Sequence, residues 1–310
     1  MFLTITLNPI LDKTIVVNSA NLGNILRIKE TSEIVGGKGN NVARTIKKLG
    51  YPVVASGFIG GYIGKRIKDL MKQEGIKTNF VFVKELTRLG ITLRELQSGR
   101  YTHYLDPNTK ISKIEIKNLI IKISKSIKKY KVLILSGSSP CKLSDNIYKK
   151  LLKIAHKNNL LTILDSYGKT FKLAISEKPF MIKLNLEELE IYLKKEIKNK
   201  KEIILSIKNF SNKGIKLVVI TLGEKGAFIG FNDKIWQITP PKVKEVNAIG
   251  SGDALVGGMA IGIYENFPIE KIIRLGISCS IANVKVWEPI GFSYEDVEKI
   301  LPTIKIKLVK

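Results

Sequence analysis

The alternation of short apolar runs with longer Lys-rich amphipathic segments constrains this chain more than any other feature. Runs of strand length lie at 2–7, 53–59, 131–136, 161–166 and 216–221. Segments with helical character lie near 38–49, 62–74, 114–129, 144–157, 199–211, 252–265 and 268–285. Because strands separated by helices usually pair in parallel, the pattern predicts an α/β fold with a mostly parallel central sheet.

Two segments, near 12–35 and 86–106, break this alternation. Both are rich in β-branched residues with partial period-two alternation, and both lack a convincing helical period. We interpret them as extra strands, which either form a small flap over the ligand-binding edge of the main sheet or extend that sheet in the antiparallel direction. The chain has no low-complexity linker and no shift in composition, so we expect residues 1–310 to form a single domain.

Composition excludes several classes of site. The chain has only two cysteines, Cys141 and Cys279, and only two histidines, His103 and His156. Disulfide frameworks, thiolate metal clusters, multi-histidine metal sites and histidine-based triads are therefore not expected. The sequence has no run of eighteen apolar residues, and its first residues lack a basic leader, so we expect a cytoplasmic protein.

The formal net charge is +25, which would ordinarily favour nucleic-acid binding. The distribution of charge argues against that partner, because only seven of the 52 basic residues are arginine and none lies between Arg100 and Arg274. Lysine is instead spread over almost every predicted helix, as expected of solvated helix faces. A general positive potential would still steer a polyanionic small substrate towards the protein.

The stretch NAIGSGDALVGG, residues 247–258, places one carboxylate among glycines at the start of an apolar helix. In an open α/β sheet such helix starts lie beyond the C-terminal ends of the strands, where ligands bind. The amides of Gly250, Ser251, Gly252 and Asp253 could form a concave site for anionic oxygens. Asp253 either caps the helix or accepts a proton from a substrate hydroxyl while the amides hold a transferring phosphoryl group.

A second glycine cluster, VGGKGNNVARTIKKLG, opens the predicted helix that ends near Gly50. It is not a Walker A loop, and GFIGGYIG at 57–64 does not have the spacing of a dinucleotide-binding fingerprint. Residues 36–41 offer close backbone approach, a cation at Lys38 and an amide at Asn41, which suit a polyol that carries a charge. A glycine-rich turn into an ordinary helix is the alternative.

Seven motifs occur in one order along the chain: TLNPILD (6–12), GGKGNNVAR (36–44), LTRLGI (86–91), SGSSP (136–140), KLNLEEL (183–189), TLGEKGA (221–227) and NAIGSGDALVGG (247–258). Together they resemble the phosphofructokinase B family of ribokinase-like sugar kinases, most closely its 1-phosphofructokinase and tagatose-6-phosphate kinase branch. The resemblance implies a three-layer α/β/α sandwich with a mostly parallel sheet and a small β-flap, or lid, made by the segments near 12–35 and 86–106.

The resemblance also implies roles for individual residues. Asp253 matches the catalytic base, and the anion hole is matched by Gly250, Ser251 and Gly252. The sugar phosphate would be bound by Asp12, Arg27, Gly37, Lys38, Asn41 and Arg88, with the two arginines on the phosphate that the substrate already carries. The nucleotide would be bound by Asn185, Glu188, Thr221, Gly223 and Gly226, with Asn185 and Glu188 acting on Mg²⁺ and the phosphates through water.

The chain departs from the family pattern at several places. Leu184 replaces the proline usual before the magnesium motif, Ala248 replaces the Thr or Ser usual in the last motif, and Lys142 replaces a usual turn glycine. In the flap, THYLDPN (102–108) lacks the glycine-rich ending common in 1-phosphofructokinases. These departures bear on the identity of the substrate more than on the type of reaction.

The activity that the resemblance implies is phosphorylation of a ketohexose monophosphate by ATP and Mg²⁺, with fructose 1-phosphate converted to fructose 1,6-bisphosphate. Tagatose-6-phosphate kinase and minor 6-phosphofructokinase are alternatives with the same machinery, and a catalytically silent sugar-phosphate-binding protein is the alternative from another class. We expect no nucleic-acid or membrane partner. The edges of the flap strands could pair two copies into a homodimer.

Overall fold

The structure, a computed structural model, describes residues 1–21 and 23–309. Its strands are β1 (Phe2–Thr6), β2 (Ile10–Val17), β3 (Glu30–Gly36), β4 (Val53–Gly60), β5 (Lys77–Thr78), β6 (Val81–Val83), β7 (Arg88–Glu95), β8 (Tyr101–Leu105), β9 (Val132–Ser136), β10 (Leu161–Asp165), β11 (Met181–Asn185), β12 (Leu217–Thr221), β13 (Ala227–Phe231), β14 (Lys234–Thr239) and β15 (Lys305–Leu308). Its α-helices are α1 (Lys38–Lys48), α2 (Gly61–Gln73), α3 (Lys113–Ser126), α4 (Ile147–Lys157), α5 (Gly168–Ala174), α6 (Leu186–Leu193), α7 (Lys200–Asn212), α8 (Ser251–Tyr264), α9 (Ile269–Val284) and α10 (Tyr294–Ile300). Every strand and helix that the alternation predicts is present, with ends that differ by no more than three residues.

The main sheet has eleven strands in the order β15-β14-β13-β12-β11-β10-β9-β1-β4-β5, with β6 paired to β4. The strands from β12 to β5 in this order are parallel, whereas β13, β14 and β15 are antiparallel additions at one edge. Parallel strands end at the same edge of a sheet, which is where ligands bind. Neighbouring strands therefore end side by side at Thr221, Asn185, Asp165, Ser136 and Thr6.

Side-chain alternation along the central strands explains why helices cover both faces of this sheet. Phe2 and Ile134 face one apolar core, whereas Leu3 and Leu135 face the other. Successive strand side chains point to opposite faces, and parallel sheets are stable only with both faces covered. Helices α1, α8 and α9 line the first core and α3, α4 and α7 line the second, which confirms the three-layer arrangement.

Helix α8 is buried on all sides, as its apolar sequence predicts. Its neighbours approach so closely that only glycine fits: a Cβ on Gly257 would lie 2.6 Å from Thr45 Cγ2, and a Cβ on Gly258 would lie 2.8 Å from Cys279 Sγ. This packing places the first turn of α8 beside the first turn of α1. No helix in the described ranges, including the apolar α8, is both long enough and hydrophobic enough to cross a membrane.

The two segments that break the alternation form a separate four-stranded sheet, here called the flap, in the order β3-β2-β7-β8. Within the flap, β2 is antiparallel to β3 and parallel to β7, and β8 is an edge strand whose residues are all exposed. The alternative of an antiparallel extension of the main sheet is therefore wrong. Closure of the flap as a lid stays a prediction, as does the single kinase domain over residues 1–310.

Sequence patterns missed β11 and several short elements. In β11, Lys183 interrupts the apolar run MIKLN, although its side chain is only 5% exposed. The lysine is buried because two carboxylates pair with it, and a short pattern cannot reveal such distant partners. Helices α5, α6 and α10 have seven or eight residues, too few for a clear helical period.

Candidate active site

Asp253 lies in the first turn of α8 with its side chain 5% exposed. The turn before it needs Gly250, whose φ of 83° lies in the left-handed region that other residues rarely adopt. Asp253 Oδ2 accepts a hydrogen bond from Asn41 Nδ2 at 2.8 Å. The carboxylate therefore faces α1 rather than the amides of its own helix, which argues against the capping alternative.

The amides at the start of α8 are only partly open. Ser251 N–H donates to the Ala248 carbonyl at 3.1 Å, so the expectation that all four amides are uncovered is wrong at Ser251. No acceptor among the described residues takes the N–H groups of Gly252 and Asp253. These two donors, with the positive end of the helix dipole, suit an anionic oxygen.

The environment of Asp253 makes its carboxyl group a much weaker acid than usual. Burial, followed by the negative charge of Asp165, raises the pKa of Asp253 from 3.8 to about 7. The charges of Lys38 and Lys183 and the hydrogen bond from Asn41 act in the opposite direction. A pKa near neutrality suits a group that accepts a proton in a reaction near neutral pH.

Two lysines and two carboxylates form an ion-pair cluster beside Asp253. Lys38 Nζ lies 2.9 Å from Glu188 Oε1 and 3.4 Å from Asp165 Oδ1. Lys183 Nζ lies 3.3 Å from the same Asp165 oxygen and 3.9 Å from Glu188 Oε2. Burial alone would lower the pKa of Lys38, but Asp165 and Glu188 outweigh it and raise that pKa. Lys38 therefore stays charged at the site.

Lys183 also reaches the start of α8. A Cβ on Gly252 would lie 3.0 Å from Lys183 Nζ, so glycine at this position leaves room for the ammonium group. The ammonium group therefore lies beside Gly252, one of the two residues whose amides have no acceptor among the described residues. Such a combination of a cation with backbone donors suits the oxygens of a phosphoryl group.

Sequence reasoning assigned no role to Asp165 or Lys183. Asp165 is fully buried, its Oδ2 has no hydrogen-bond partner among the described residues, and Lys183 and Lys38 lower its pKa despite burial. Two signals were available, because Asp165 ends a predicted strand at the ligand-binding edge and Lys183 precedes the N-x-x-E motif. Single acids and lysines are so common at such positions that neither signal could identify Asp165 or Lys183 as a site residue.

Asn185 and Glu188 form a reciprocal cap at the start of α6. Asn185 Oδ1 accepts from the Glu188 N–H at 2.7 Å, and Glu188 Oε2 accepts from the Asn185 N–H at 2.9 Å. Glu188 is 7% exposed and its other oxygen binds Lys38, so it is a buried member of the ion-pair cluster and not a solvated acid of the helix surface. Whether the pair also acts on Mg²⁺ stays a prediction.

The segment predicted to bind the nucleotide begins beside Asn185. Thr221 is the register partner of Asn185 across β12 and β11. A short 3₁₀ turn at Gly223–Lys225 follows and leads into β13. A side chain at Gly226 would collide with the Ile238 carbonyl. The fold thus brings the two predicted nucleotide motifs together at one edge of the sheet.

Gly37, Lys38 and Asn41 reach the site through the start of α1. Gly37 precedes the helix with a φ of 100°, and a Cβ there would lie 2.8 Å from Thr6 Cγ2. Glycine thus lets the chain turn tightly over the end of β1. Lys38 then points to the ion-pair cluster and Asn41 to Asp253.

In the flap, Asp12 fills space that glycines leave on both neighbouring strands. A side chain at Gly36 would collide with the Asp12 carboxylate, and a Cβ on Gly90 would lie 2.7 Å from Asp12 Oδ1. Burial raises the pKa of Asp12 to about 6, against the opposing charges of Arg88 and His103. The carboxylate therefore lies in a confined and partly desolvated position.

Arg88 lies at the base of the flap on the same face as Asp12, since Ile10 pairs with Arg88 and Asp12 pairs with Gly90. Arg88 Nη2 donates to the Asn8 carbonyl at 3.4 Å. Its buried Nε has no acceptor among the described residues. An unpaired buried donor is destabilising unless a ligand satisfies it, so Arg88 is available to an anion.

Arg27 does not join these residues. It is exposed on the connection between β2 and β3, beyond Glu30, which pairs with Val16. Asp12 pairs with Ile34, four residues further along the strand, or roughly 13 Å at about 3.3 Å per residue. Within one chain, the structure thus separates Arg27 from the other predicted sugar-binding residues.

A cavity of about 730 Å³ lies elsewhere in the molecule, and none of the predicted site residues lines it. Its wall includes Tyr51, Phe267, Arg274 and Tyr294. The buried charges and the open amides lie at the strand ends instead, away from this cavity.

Residues 6–291 match the pfkB family carbohydrate kinase pattern. The chain belongs to the pfkB family of carbohydrate kinases. It is 31% identical to the tagatose-6-phosphate kinase of Staphylococcus epidermidis over 309 residues, which is 99% of either chain. It is 30% identical to the 1-phosphofructokinase of Bacillus subtilis over 306 residues, also 99% of either chain. The structure is similar to phosphofructokinase-2 from Escherichia coli solved with potassium, with a TM-score of 0.90, 26% identity and 98% of either chain covered.

Membership of the pfkB family confirms the ribokinase-like fold and the assignment of the chain as a phosphotransferase. The two enzymes compared above are named for different substrates, and the chain is almost equally identical in sequence to both. The comparisons thus identify a sugar-phosphate kinase of the pfkB family without resolving the sugar. The E. coli neighbour has also been solved in a tetrameric inhibited form, at a TM-score of 0.88 and 26% identity over 97% of this chain and 98% of that one.

Proposed function

We propose that this pfkB-family kinase phosphorylates fructose 1-phosphate with ATP to give fructose 1,6-bisphosphate. The observation that carries the proposal is the buried Asp253 carboxylate, with a pKa of about 7, beside the open amides and Lys183. A proton acceptor next to an anion-binding group is what phosphoryl transfer to a hydroxyl requires.

In the proposed reaction, the C6 hydroxyl oxygen of the sugar attacks the γ-phosphorus of ATP. The new oxygen–phosphorus bond forms as the bond from the γ-phosphorus to the bridging oxygen breaks, and ADP leaves with that electron pair. Asp253 accepts the hydroxyl proton, and the hydrogen bond from Asn41 orients the carboxylate. The amides of Gly252 and Asp253, with Lys183, stabilise negative charge on the transferring oxygens.

The flap supplies the groups proposed to bind the sugar phosphate. Arg88 and Asp12 project from the same face, and the unpaired Nε of Arg88 would bind the phosphate already on the substrate. Asp12 would accept hydrogen bonds from sugar hydroxyls, and Gly37, Lys38 and Asn41 would line the other side. An unphosphorylated sugar would leave the buried Arg88 donor unsatisfied, which favours a sugar monophosphate.

The nucleotide is proposed to lie along Asn185, Thr221, Gly223 and Gly226. No group of three acidic, histidine or cysteine side chains in the described ranges could hold a metal ion by itself. Asp165 and Glu188 are paired with lysines, and the Asp165 Oδ2 remains unpartnered. These donors fit Mg²⁺ carried on ATP phosphates and held to the protein through water. The metal would neutralise charge on the phosphates.

A homodimer through the flap is also proposed. The edge strand β8 is exposed along its length, and the side chains of Tyr104 and Leu105 face solvent. Unpaired strand edges commonly pair with a second copy. Light scattering after gel filtration should give the mass of two chains, and a monomer at micromolar concentration would contradict the proposal.

The test of the proposed function is ADP release measured with fructose 1-phosphate, fructose 6-phosphate, tagatose 6-phosphate and ribose. We expect the highest kcat/KM with fructose 1-phosphate. A preference for tagatose 6-phosphate, which the similarity to the S. epidermidis enzyme supports as second candidate, would overturn the sugar but not the chemistry. Binding of sugar phosphates without ADP release would indicate a silent binding protein and overturn both.

A further inference from the structure

Trp287 connects the flap to the body of the protein. Its ring stacks on Tyr101 with centroids 4.8 Å apart and an interplanar angle of 26°. Arg94 Cζ lies 4.9 Å from the centroid of the same indole ring. Because Arg94 and Tyr101 are register partners across β7 and β8, two adjacent flap side chains hold one side chain of the body.

This contact lies on the face of the flap that carries Asp12. Arg94 is four residues beyond Gly90, the partner of Asp12, and alternate residues of a strand share a face. The contact is therefore roughly 13 Å along the strand from Asp12, at about 3.3 Å per residue. The flap meets the body at its base through Arg88 and again near its far end through Trp287, with Asp12 in between.

On the body side, Trp287 is tied to the turn that leads into α8. The Trp287 carbonyl accepts from Asn247 Nδ2 at 2.8 Å, and Asn247 Oδ1 accepts from the Ile249 N–H at 3.0 Å. Asn283 Nδ2 donates to the Ile249 carbonyl at 2.8 Å, which adds a second link from the end of α9. The position of Trp287 is thereby coupled to the backbone at Gly250.

We propose that Trp287 is a positioning residue that holds the Asp12 and Arg88 face of the flap in register with the start of α8. The inference rests on the proposed function, in which the flap binds the sugar phosphate and Asp253 accepts the proton of the sugar hydroxyl. Phosphoryl transfer depends on holding both reactants in one geometry. Loss of the contact should therefore weaken both sugar binding and turnover while ATP binding is retained.

Steady-state kinetics test this role. Trp287→Ala should lower kcat/KM for fructose 1-phosphate about 10-fold, through a higher KM and a lower kcat, since aromatic stacking and cation–π contacts are each worth a several-fold change. The KM for ATP should not change, and Trp287→Phe should recover most of the loss. Phe82→Ala is the matched control, because Phe82 is an exposed aromatic residue on β6, outside the flap.

Two kinetic outcomes would overturn the proposal. One is a kcat/KM for fructose 1-phosphate in Trp287→Ala equal to that of Phe82→Ala. The other is a loss that is not specific to the sugar contact, recognised by an equal effect on the KM for ATP together with no rescue in Trp287→Phe, since such a loss would indicate general damage to the fold.

Fluorescence separates failure of this inference from failure of the proposed function. The other tryptophan, Trp236, is buried, so Trp236→Phe leaves Trp287 as the reporter. In that background, Tyr101→Ala should increase acrylamide quenching of Trp287, whereas Tyr104→Ala, on the opposite face of β8, should not. Equal quenching in both variants would overturn the contact. An increase specific to Tyr101→Ala supports the contact between Tyr101 and Trp287, whether or not the protein phosphorylates a sugar. Absence of sugar phosphorylation would overturn only the proposed function.

Discussion

The buried carboxylate of Asp253 should make the folded protein less stable above neutral pH than a neutral side chain would. Its folded pKa of about 7 is higher than the ordinary 3.8, so the folded state binds this proton more tightly than the unfolded state. The associated contribution to the free energy of unfolding is fully present below pH 3.8 and is lost as the pH rises through 7. Raising the pKa of Asp253 from 3.8 to about 7 corresponds to about 4 kcal/mol, since a change of one in pKa is worth about 1.36 kcal/mol.

Asp253→Asn removes the charge and keeps an oxygen that can accept from Asn41. We therefore expect the variant to unfold at a higher temperature than the wild type at pH 8, by several degrees for up to about 4 kcal/mol in a domain of this size. The difference should shrink as the pH is lowered to 5. Thermal unfolding followed by circular dichroism measures it, with Glu187→Gln as a control that removes an exposed acid of α6. An Asn variant no more stable than the wild type at pH 8, or a pH-independent difference, would show that the buried charge of Asp253 does not destabilise the fold.

The same geometry predicts the responses to pH, to loss of Arg88 and to filling of Gly252. Below pH 7, kcat/KM for the sugar phosphate should fall about 10-fold per pH unit as Asp253 takes up its proton, and a flat profile between pH 6 and 8 would contradict a base with that pKa. Arg88→Ala should raise the KM for the sugar phosphate with little change in kcat, and added salt should weaken binding of that substrate to the wild type. An unchanged KM would count against phosphate binding. Gly252→Ala would place a Cβ 3.0 Å from Lys183 Nζ. Because the ammonium group can shift by a few tenths of an ångström, kcat should fall by less than the about 10²-fold that follows loss of an anion-hole donor, whereas wild-type turnover would show that Lys183 does not act at this turn.

Much of the fold could be predicted because its parallel strands and long helices have patterns that are visible locally. Strands such as β9 and β12 are continuous apolar runs, as expected of strands buried on both faces. The antiparallel strands β13 to β15 have weaker patterns, since Gly230 interrupts β13 and three exposed lysines lie in β14 and β15. The local sequence pattern also could not show which strands the flap strands pair with, because strand pairing depends on register between distant segments.

Part of the candidate site could be predicted for a different reason. Asp253 and Asn41 lie in glycine-rich helix starts whose sequence already indicates close backbone approach, and the structure brings them to 2.8 Å. Asp165 and Lys183 could not be predicted as site residues, since what marks them is the ion pair between β10 and β11, which the sequence does not reveal. The separation of Arg27 from Asp12 was also invisible, because it depends on the register of β2 with β3.

We propose that the Asp253 carboxylate takes the proton of the sugar hydroxyl while the neighbouring amides and Lys183 hold the migrating phosphoryl group. The most direct measurement is kcat for ADP release by Asp253→Asn with fructose 1-phosphate at pH 8, together with calorimetric binding of that sugar. We expect near wild-type binding and a kcat lower by roughly 10²–10⁴-fold. An Asn variant that binds the sugar and keeps most of its kcat would contradict the claim.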